Sequence, residues 1–305
     1  MLKKISRYTW LTTGILFLIG LVCIKFHLID YDISFFVVFP IAIGFAAAIN
    51  SPNAASLALH SSYALLGLIL FMVLASIIGL EGLICILLAL PILMFLLMLG
   101  FLLAAICRGT FLKKYTEHQD RIYTLFFPLI LLLGSHLAEV LFSDEPKLNS
   151  ISTTVALPYP AEIVFDGVKS MDTLDGEKPL LIQLGLPTPY KCILEKESIG
   201  AQRTCLFENG KIVAEITAYR PGVLLSMKVI EYSLTGNEWF SFQDAYYTFQ
   251  PIEGGTSITR TTTYTSKLKP RLYWTYLEKI AIDQEHTFVL NSLSKNLALL
   301  NHPDF

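Results

Sequence analysis

Apolar residues crowd the first 142 positions of this 305-residue chain and thin out abruptly after Phe142. No other feature limits the possible folds as strongly. A small water-soluble domain cannot hide so much apolar surface, whereas a bilayer can accept it. The whole chain is 53% hydrophobic and 16% charged, with a mean hydropathy of +0.55. Those values exclude a purely soluble globular protein. The break predicts a multi-span transmembrane domain over 1–142, a polar linker over 143–150 (SDEPKLNS) and a second domain over 151–305.

Five segments read as spans: Tyr8–Ile24, Ile33–Ile49, Ser62–Leu80, Gly82–Cys107 and Ile122–Phe142. Met1–Ile24 has the basic start and apolar run of a signal peptide. It lacks a small-residue cleavage site and more spans follow, so it is read as a helix. Only Glu81-Gly82 separates the third and fourth spans. A tight helical hairpin is predicted there, since about 46 apolar residues in one helix would far exceed a bilayer. Pro40, Pro91 and Pro128 mark expected kinks or tilts.

Lys3, Lys4 and Arg7 precede the first span, and Arg108, Lys113, Lys114 and Arg121 lie between the fourth and fifth. With five spans these basic residues share one side, and Lys25 stands in the short loops of the other. Basic loops stay cytoplasmic. The N-terminus is therefore expected in the cytoplasm and the C-terminal domain outside it, in the periplasm of a Gram-negative cell. His136 and Glu139, toward the outer end of the fifth span, are either a proton or ligand site or an interfacial pair one turn apart. There are no paired acidic residues at mid-membrane and no inverted repeat, which disfavours a transporter.

From Ile151 the pattern changes. Ile151–Leu157 alternates as a strand, Glu162–Val168 reads as a short helix, and Leu174–Gly185 as a second short helix or loop. Six strands are predicted at Tyr190–Glu197, Gln202–Phe207, Lys211–Tyr219, Val223–Tyr232, Trp239–Pro251 and Thr256–Leu268. Glu208-Asn209-Gly210-Lys211 predicts a type I′ hairpin with Asn-Gly at its tip. The last element, Pro270–Leu300, opens on a proline and then runs without Gly or Pro, as a long helix does. Its apolar residues fall on two arcs. Tyr273, Leu277, Ile280, Ala281 and Phe288 make one, and Ile282, Val289, Leu290, Leu293 and Leu297 the other. A curved sheet gripping the helix would cover both.

The half from Ser150 to Leu300 resembles the START-like helix-grip superfamily. It looks most like the polyketide-cyclase/dehydrase and lipid-transport group, the SRPBCC proteins. The matching residues are Pro160-Ala161-Glu162-Ile163-Val164-Phe165, the run from Gly200 to Gly210, and Glu215-Ile216-Thr217. Gly255-Thr256-Ser257, Tyr264, Pro270, Tyr273-Trp274, His286 and Val289-Leu290 continue the match. The resemblance implies an α+β domain, a curved antiparallel sheet around a long C-terminal helix. It also implies a cavity between the two, with apolar molecules, lipids among them, as the default ligands. The matching motifs belong to a fold, and fold does not fix activity.

The candidate cavity residues are Arg203, Phe207, Glu215, Tyr246, Tyr264, Tyr273, Trp274 and His286. A two-residue hairpin puts Arg203 on the inward face with Cys205, Phe207, Ile212, Ala214 and Ile216, away from Glu215. A three-residue loop with a bulge puts Arg203 opposite Glu215 as an ion pair. Arg203 is thus a fork for a ligand carboxylate or phosphate, or half of a structural salt bridge. Tyr246 and Tyr264 have hydroxyls that could orient a ligand, or pack at the core rim. Tyr273 and Trp274 gate a cavity mouth, touch the bilayer surface, or pack. His286 is the usual type of general base, with Asp283 one turn away. No Ser or Cys nucleophile attaches to it by motif, so a cavity-lining or packing role is preferred to catalysis.

Cys192 and Cys205 flank the Glu197–Gly200 turn. A symmetric turn sets them opposite each other, close enough for a disulfide, whereas a bulge near Gly200 leaves both thiols free. No CxxC spacing suggests a metal, and no cofactor is expected. The net charge of −2 gives no field for nucleic acid. Three functions stay open. One is a membrane-anchored binder of an apolar molecule or lipid. Another is a cyclase- or dehydrase-like enzyme on a hydrophobic substrate. The third is a structural or sensory membrane module with no ligand.

Overall fold

A computed structural model describes residues 7–26, 33–49, 54–78, 82–110, 120–142, 145–237 and 239–301. The chain divides into two compact units, Met1–Glu145 with Lys267–Leu272, and Pro146–Ser266 with Tyr273–Phe305.

The first unit is helical: α1 (Arg7–Lys25), α2 (Phe39–Ile49), α3 (Ala54–Ile77), α4 (Leu83–Thr110) and α5 (Asp120–Phe142). Among the described residues two helical stretches, Leu57–Ile77 and Leu83–Cys107, are long and apolar enough to cross a membrane. Thr13–Val22, Ser34–Ile49 and Leu129–Leu141 are shorter apolar helices. The Glu81 break lies outside the described residues. Pro91 sits inside α4, which continues past it. A π-helical turn, Ser34–Val38, leads into α2 just before Pro40, whose missing N–H interrupts the usual ladder. Glu139 of α5 binds the start of that turn. The Ser34 N–H donates to its Oε1 at 2.9 Å, and the Ser34 hydroxyl meets its Oε2. A carboxylate is well placed against the exposed amides of a helix start. Helices α2 and α4 approach so closely that a Cβ on Gly44 would strike the Leu97 carbonyl, and one on Gly100 the Ile41 carbonyl. Small residues at such a crossing let the two helices pack backbone to backbone.

The second unit runs β1 (Asn149–Leu157), α6 (Ala161–Lys169), α7 (Leu180–Gln183), then β2 (Lys191–Leu194), β3 (Gln202–Phe207), β4 (Gly210–Arg220), β5 (Leu224–Tyr232), β6 (Phe240–Ile252) and β7 (Gly255–Ser266). It closes with α8 (Arg271–Asn301). The strands form one antiparallel sheet in the order β1-β7-β6-β5-β4-β3-β2. The first strand thus returns beside the last, and α8 packs on the inner face. This is a helix-grip architecture.

Two expectations need correction. The β3–β4 hairpin pairs Phe207 with Gly210 and Arg203 with Ala214, so its tip is Glu208-Asn209 and not Asn209-Gly210. Gly210 closes the turn at φ +149°, where a side chain would run into the Ser233 carbonyl. The shift is by two residues, so every side chain keeps its face. The second correction concerns α8. Its early buried stripe is Trp274, Glu278, Ile282 and His286, whereas Tyr273, Leu277, Ile280 and Ala281 are only half-buried. Hydropathy excludes Glu278 and His286 from a buried stripe, but hydroxyls on the sheet satisfy both. The late stripe, Val289, Leu290, Leu293 and Leu297, is buried as its spacing predicts.

Candidate functional site

The inner face of the sheet follows from strand alternation. On β7, Ile258, Arg260, Thr262 and Tyr264 point the same way. Register sets Arg260 beside Thr153 of β1 and Tyr247 of β6. The apolar core against this face comes in two pieces. A larger cluster holds Leu157, Phe165, Tyr247, Phe249, Ile258, Phe288, Val289 and Leu293. A smaller one holds Ile151, Tyr264 and Ile282, with Phe240 and Phe242 against it. Three elements cross from one cluster to the other, and each is polar midway. On β1 the sequence runs Ile151, Thr153, Leu157. On β7 it is Ile258, Arg260, Thr262, Tyr264, and on α8 Ile282, Glu285, His286, Val289. A polar layer therefore divides the core.

His286 lies in this layer and is completely buried. Its Nε2 is 2.7 Å from the Thr262 hydroxyl and its Nδ1 is 3.0 Å from the Thr153 hydroxyl. Thr153 gives its one hydroxyl hydrogen to Asp283 Oδ1 at 2.6 Å. It must then accept from Nδ1–H, which leaves Nε2 to accept from Thr262. Thr262, His286, Thr153 and Asp283 form one directed chain from core to surface. Burial, reinforced by the charge of Arg260, holds the imidazole down at a pKa of about 2, so it is neutral. Both ring nitrogens are engaged by hydroxyls, which is the arrangement of a positioned core histidine.

Arg260 is held by Glu285, whose two oxygens lie 3.0 and 3.1 Å from Nη2. Its guanidinium also stands over the Tyr247 ring, 5.7 Å from the centroid. Nε and Nη1 are buried and have no hydrogen-bond partner among the described residues. An unmet buried donor costs about 1–3 kcal/mol, more when charged.

Arg203 is buried on the inner face and is held by the end of α6. Its Nε donates to the Lys169 carbonyl and its Nη2 to the Val168 carbonyl, each at 3.1 Å. Nη1 lies 3.3 Å from Cys205 Sγ. Those carbonyls end α6, where the helix dipole favours a cation. Burial, the leading influence, pulls its pKa below the ordinary arginine value. Glu215 faces out, exposed, opposite Gln202 and Lys228, so it does not join Arg203. Tyr246 is likewise on the outer face and half-buried. A bulge between Phe242 and Asp244 precedes it, and Tyr247 is the residue turned inward.

Tyr264 is buried, stacks on Phe240 and donates to Glu278 Oε2 at 3.2 Å, while Ser266 donates to Oε1 at 2.6 Å. Phe207 is buried at the end of β3, remote in sequence register from the polar layer. Trp274 is buried and half-buried Tyr273 meets its ring edge-on. Cys192 lies opposite Cys205, the register of a symmetric turn, and the two form a disulfide. Among the described residues no three His, Cys, Asp or Glu side chains gather as metal ligands.

Sequence reasoning brought His286 and Arg203 to the interior but passed over Thr153 and Tyr247. The alternation of β7 was the available signal, since it puts Arg260 among inward residues and so demands a carboxylate facing it.

No protein-family model matches the chain, and no curated protein matches it. Solved structures similar to its second half include truncated norcoclaurine synthase from Thalictrum flavum. That protein is 14% identical over 51% of this chain and 96% of its own, with a TM-score of 0.36. TTHA0849 from Thermus thermophilus is 13% identical over 50% and 99%, TM-score 0.37. SA2116 from Staphylococcus aureus, titled a protein of unknown function, is 10% identical over 52% and 98%, TM-score 0.39.

Proposed function

We propose that this chain is a membrane-anchored helix-grip protein whose second unit holds a small, largely apolar molecule, lipids included, between sheet and α8. The observation that carries the reading is the divided core. A domain of this size normally closes one contiguous apolar cluster. Here the cluster breaks at a layer where two buried guanidinium nitrogens have no acceptor among the described residues. A guest with an apolar body and an accepting atom would bridge the clusters and supply the missing partner.

The anchoring helices, five spans in this reading, set the N-terminus in the cytoplasm and the helix-grip unit outside. The Cys192–Cys205 disulfide suits an oxidising compartment. A tether raises the effective concentration of the site near bilayer lipid.

Native mass spectrometry of the detergent-extracted full chain tests the binding. The expected result is a co-purified adduct that organic extraction releases as an apolar small molecule. A bare polypeptide mass in every preparation contradicts it. A reporter enzyme fused after Leu300 tests the sidedness and is expected to be active only outside the cytoplasm.

A further inference from the structure

The charge around the divided core does not balance. Arg203 and Arg260 both point to the interior, and Glu285 is bound to Arg260. His286 beside them is neutral. Glu278 sits seven residues up α8, about 10 Å along the axis, and its two oxygens receive the Tyr264 and Ser266 hydroxyls. Asp283 points away, onto Thr153. Arg203 rests on the last carbonyls of α6, whose dipole amounts to about half a charge. A positive surplus remains inside, and a buried charge without a counter-charge is strongly unfavourable. The donors without acceptors belong to the same surplus, since Nε–H and Nη1–H of Arg260 are both open among the described residues.

We infer that the interior ligand is an anion, an apolar molecule bearing one carboxylate, which accepts from one open donor of Arg260, Nε–H or Nη1–H, while Glu285 keeps Nη2. This rests on the binding reading above and specifies its chemistry. One negative charge matches the surplus, whereas a phosphate monoester would carry nearly two. The apolar tail would lie along the Ile258 and Val289 side or along the Tyr264 and Ile282 side of the layer.

The test is the binding of dodecanoate and of dodecanol to the full-length protein, stripped of co-purified molecules and counted by native mass spectrometry. Dodecanoate is expected to bind at least about ten-fold more tightly, the value of one charge-assisted hydrogen bond at about 1.4 kcal/mol per decade. Arg260→Met alone would strand Glu285, so the informative variant is Arg260→Met with Glu285→Leu, which removes both charges together. That variant is expected to lose the preference for the acid, so that the two probes bind it within about two-fold of each other. Equal binding of acid and alcohol by the parent overturns the inference and leaves the apolar-ligand reading standing. A preference for the acid that survives in the double variant also overturns it. If neither probe binds the parent, both readings fall.

Discussion

The Nε2 atom of His286 lies 2.7 Å from the hydroxyl of Thr262, deep between sheet and helix. Because Thr153 occupies the other ring nitrogen, Thr262 is the donor in this bond. Thr262→Val keeps the shape and leaves a buried lone pair unmet. The change is expected to destabilise the second unit by about 1–3 kcal/mol. Thr262→Ser, which keeps the hydroxyl, is expected to lose clearly less. Denaturant titration of the full chain separates them, and equal losses would contradict the assigned bond.

The same histidine predicts an acid sensitivity. Its pKa is about 2 in the folded protein against an ordinary 6.5. The unfolded chain therefore takes up a proton below 6.5 that the folded chain refuses until about 2. Stability is complete above the upper value and declines as pH falls through the window. At 1.36 kcal/mol per unit, acidification by two units into it costs roughly 3 kcal/mol. Melting curves of parent and His286→Asn across this range are expected to diverge, the variant being the flatter. Parallel slopes would contradict a buried neutral imidazole.

The disulfide closes a short loop, with a sequence separation of 13. Chain entropy then gives about 3 kcal/mol. Thiol labelling of unreduced, denatured protein is expected to spare Cys192 and Cys205 while reaching Cys85 and Cys107, which lie outside the disulfide. Labelling of Cys192 or Cys205 without reductant would contradict it.

In the helical unit, Gly100→Val is expected to abolish close packing of α2 on α4, because the new side chain meets the Ile41 carbonyl and the Phe45 amide. Gly134→Ala, with open space around it, is the matched control. Detergent-extracted Gly100→Val should run as aggregate and Gly134→Ala as the parent does. Indistinguishable elution of the two would contradict the crossing.

Much of the fold was legible because local rules and burial agreed. Strand alternation found β3 to β7, the proline at 270 marked the start of α8, and Val289, Leu293 and Leu297 gave its late stripe. The polar layer was hidden because Glu278 and Glu285 have the hydropathy of a helix surface. Long-range partners, Ser266 and Arg260, make their placement against the sheet tolerable, and strand register decides those partners. Tyr246 was expected inside but lies outside, because the bulge after Phe242 cannot be counted from sequence. Arg203 was given a carboxylate because helix-end carbonyls leave no signature in a residue pattern.

Photo-crosslinking addresses the central claim most directly. An aliphatic diazirine, in alcohol and acid forms, is added to the full-length protein in nanodiscs, irradiated and mapped by peptide mass spectrometry. Label is predicted on peptides carrying the inward residues of β6, β7 and α8, around Tyr247, Arg260 and Val289. Excess unlabelled dodecanoate should displace it there while leaving any label on residues 7–142 unchanged. Label confined to residues 7–142 would contradict a ligand site between sheet and helix.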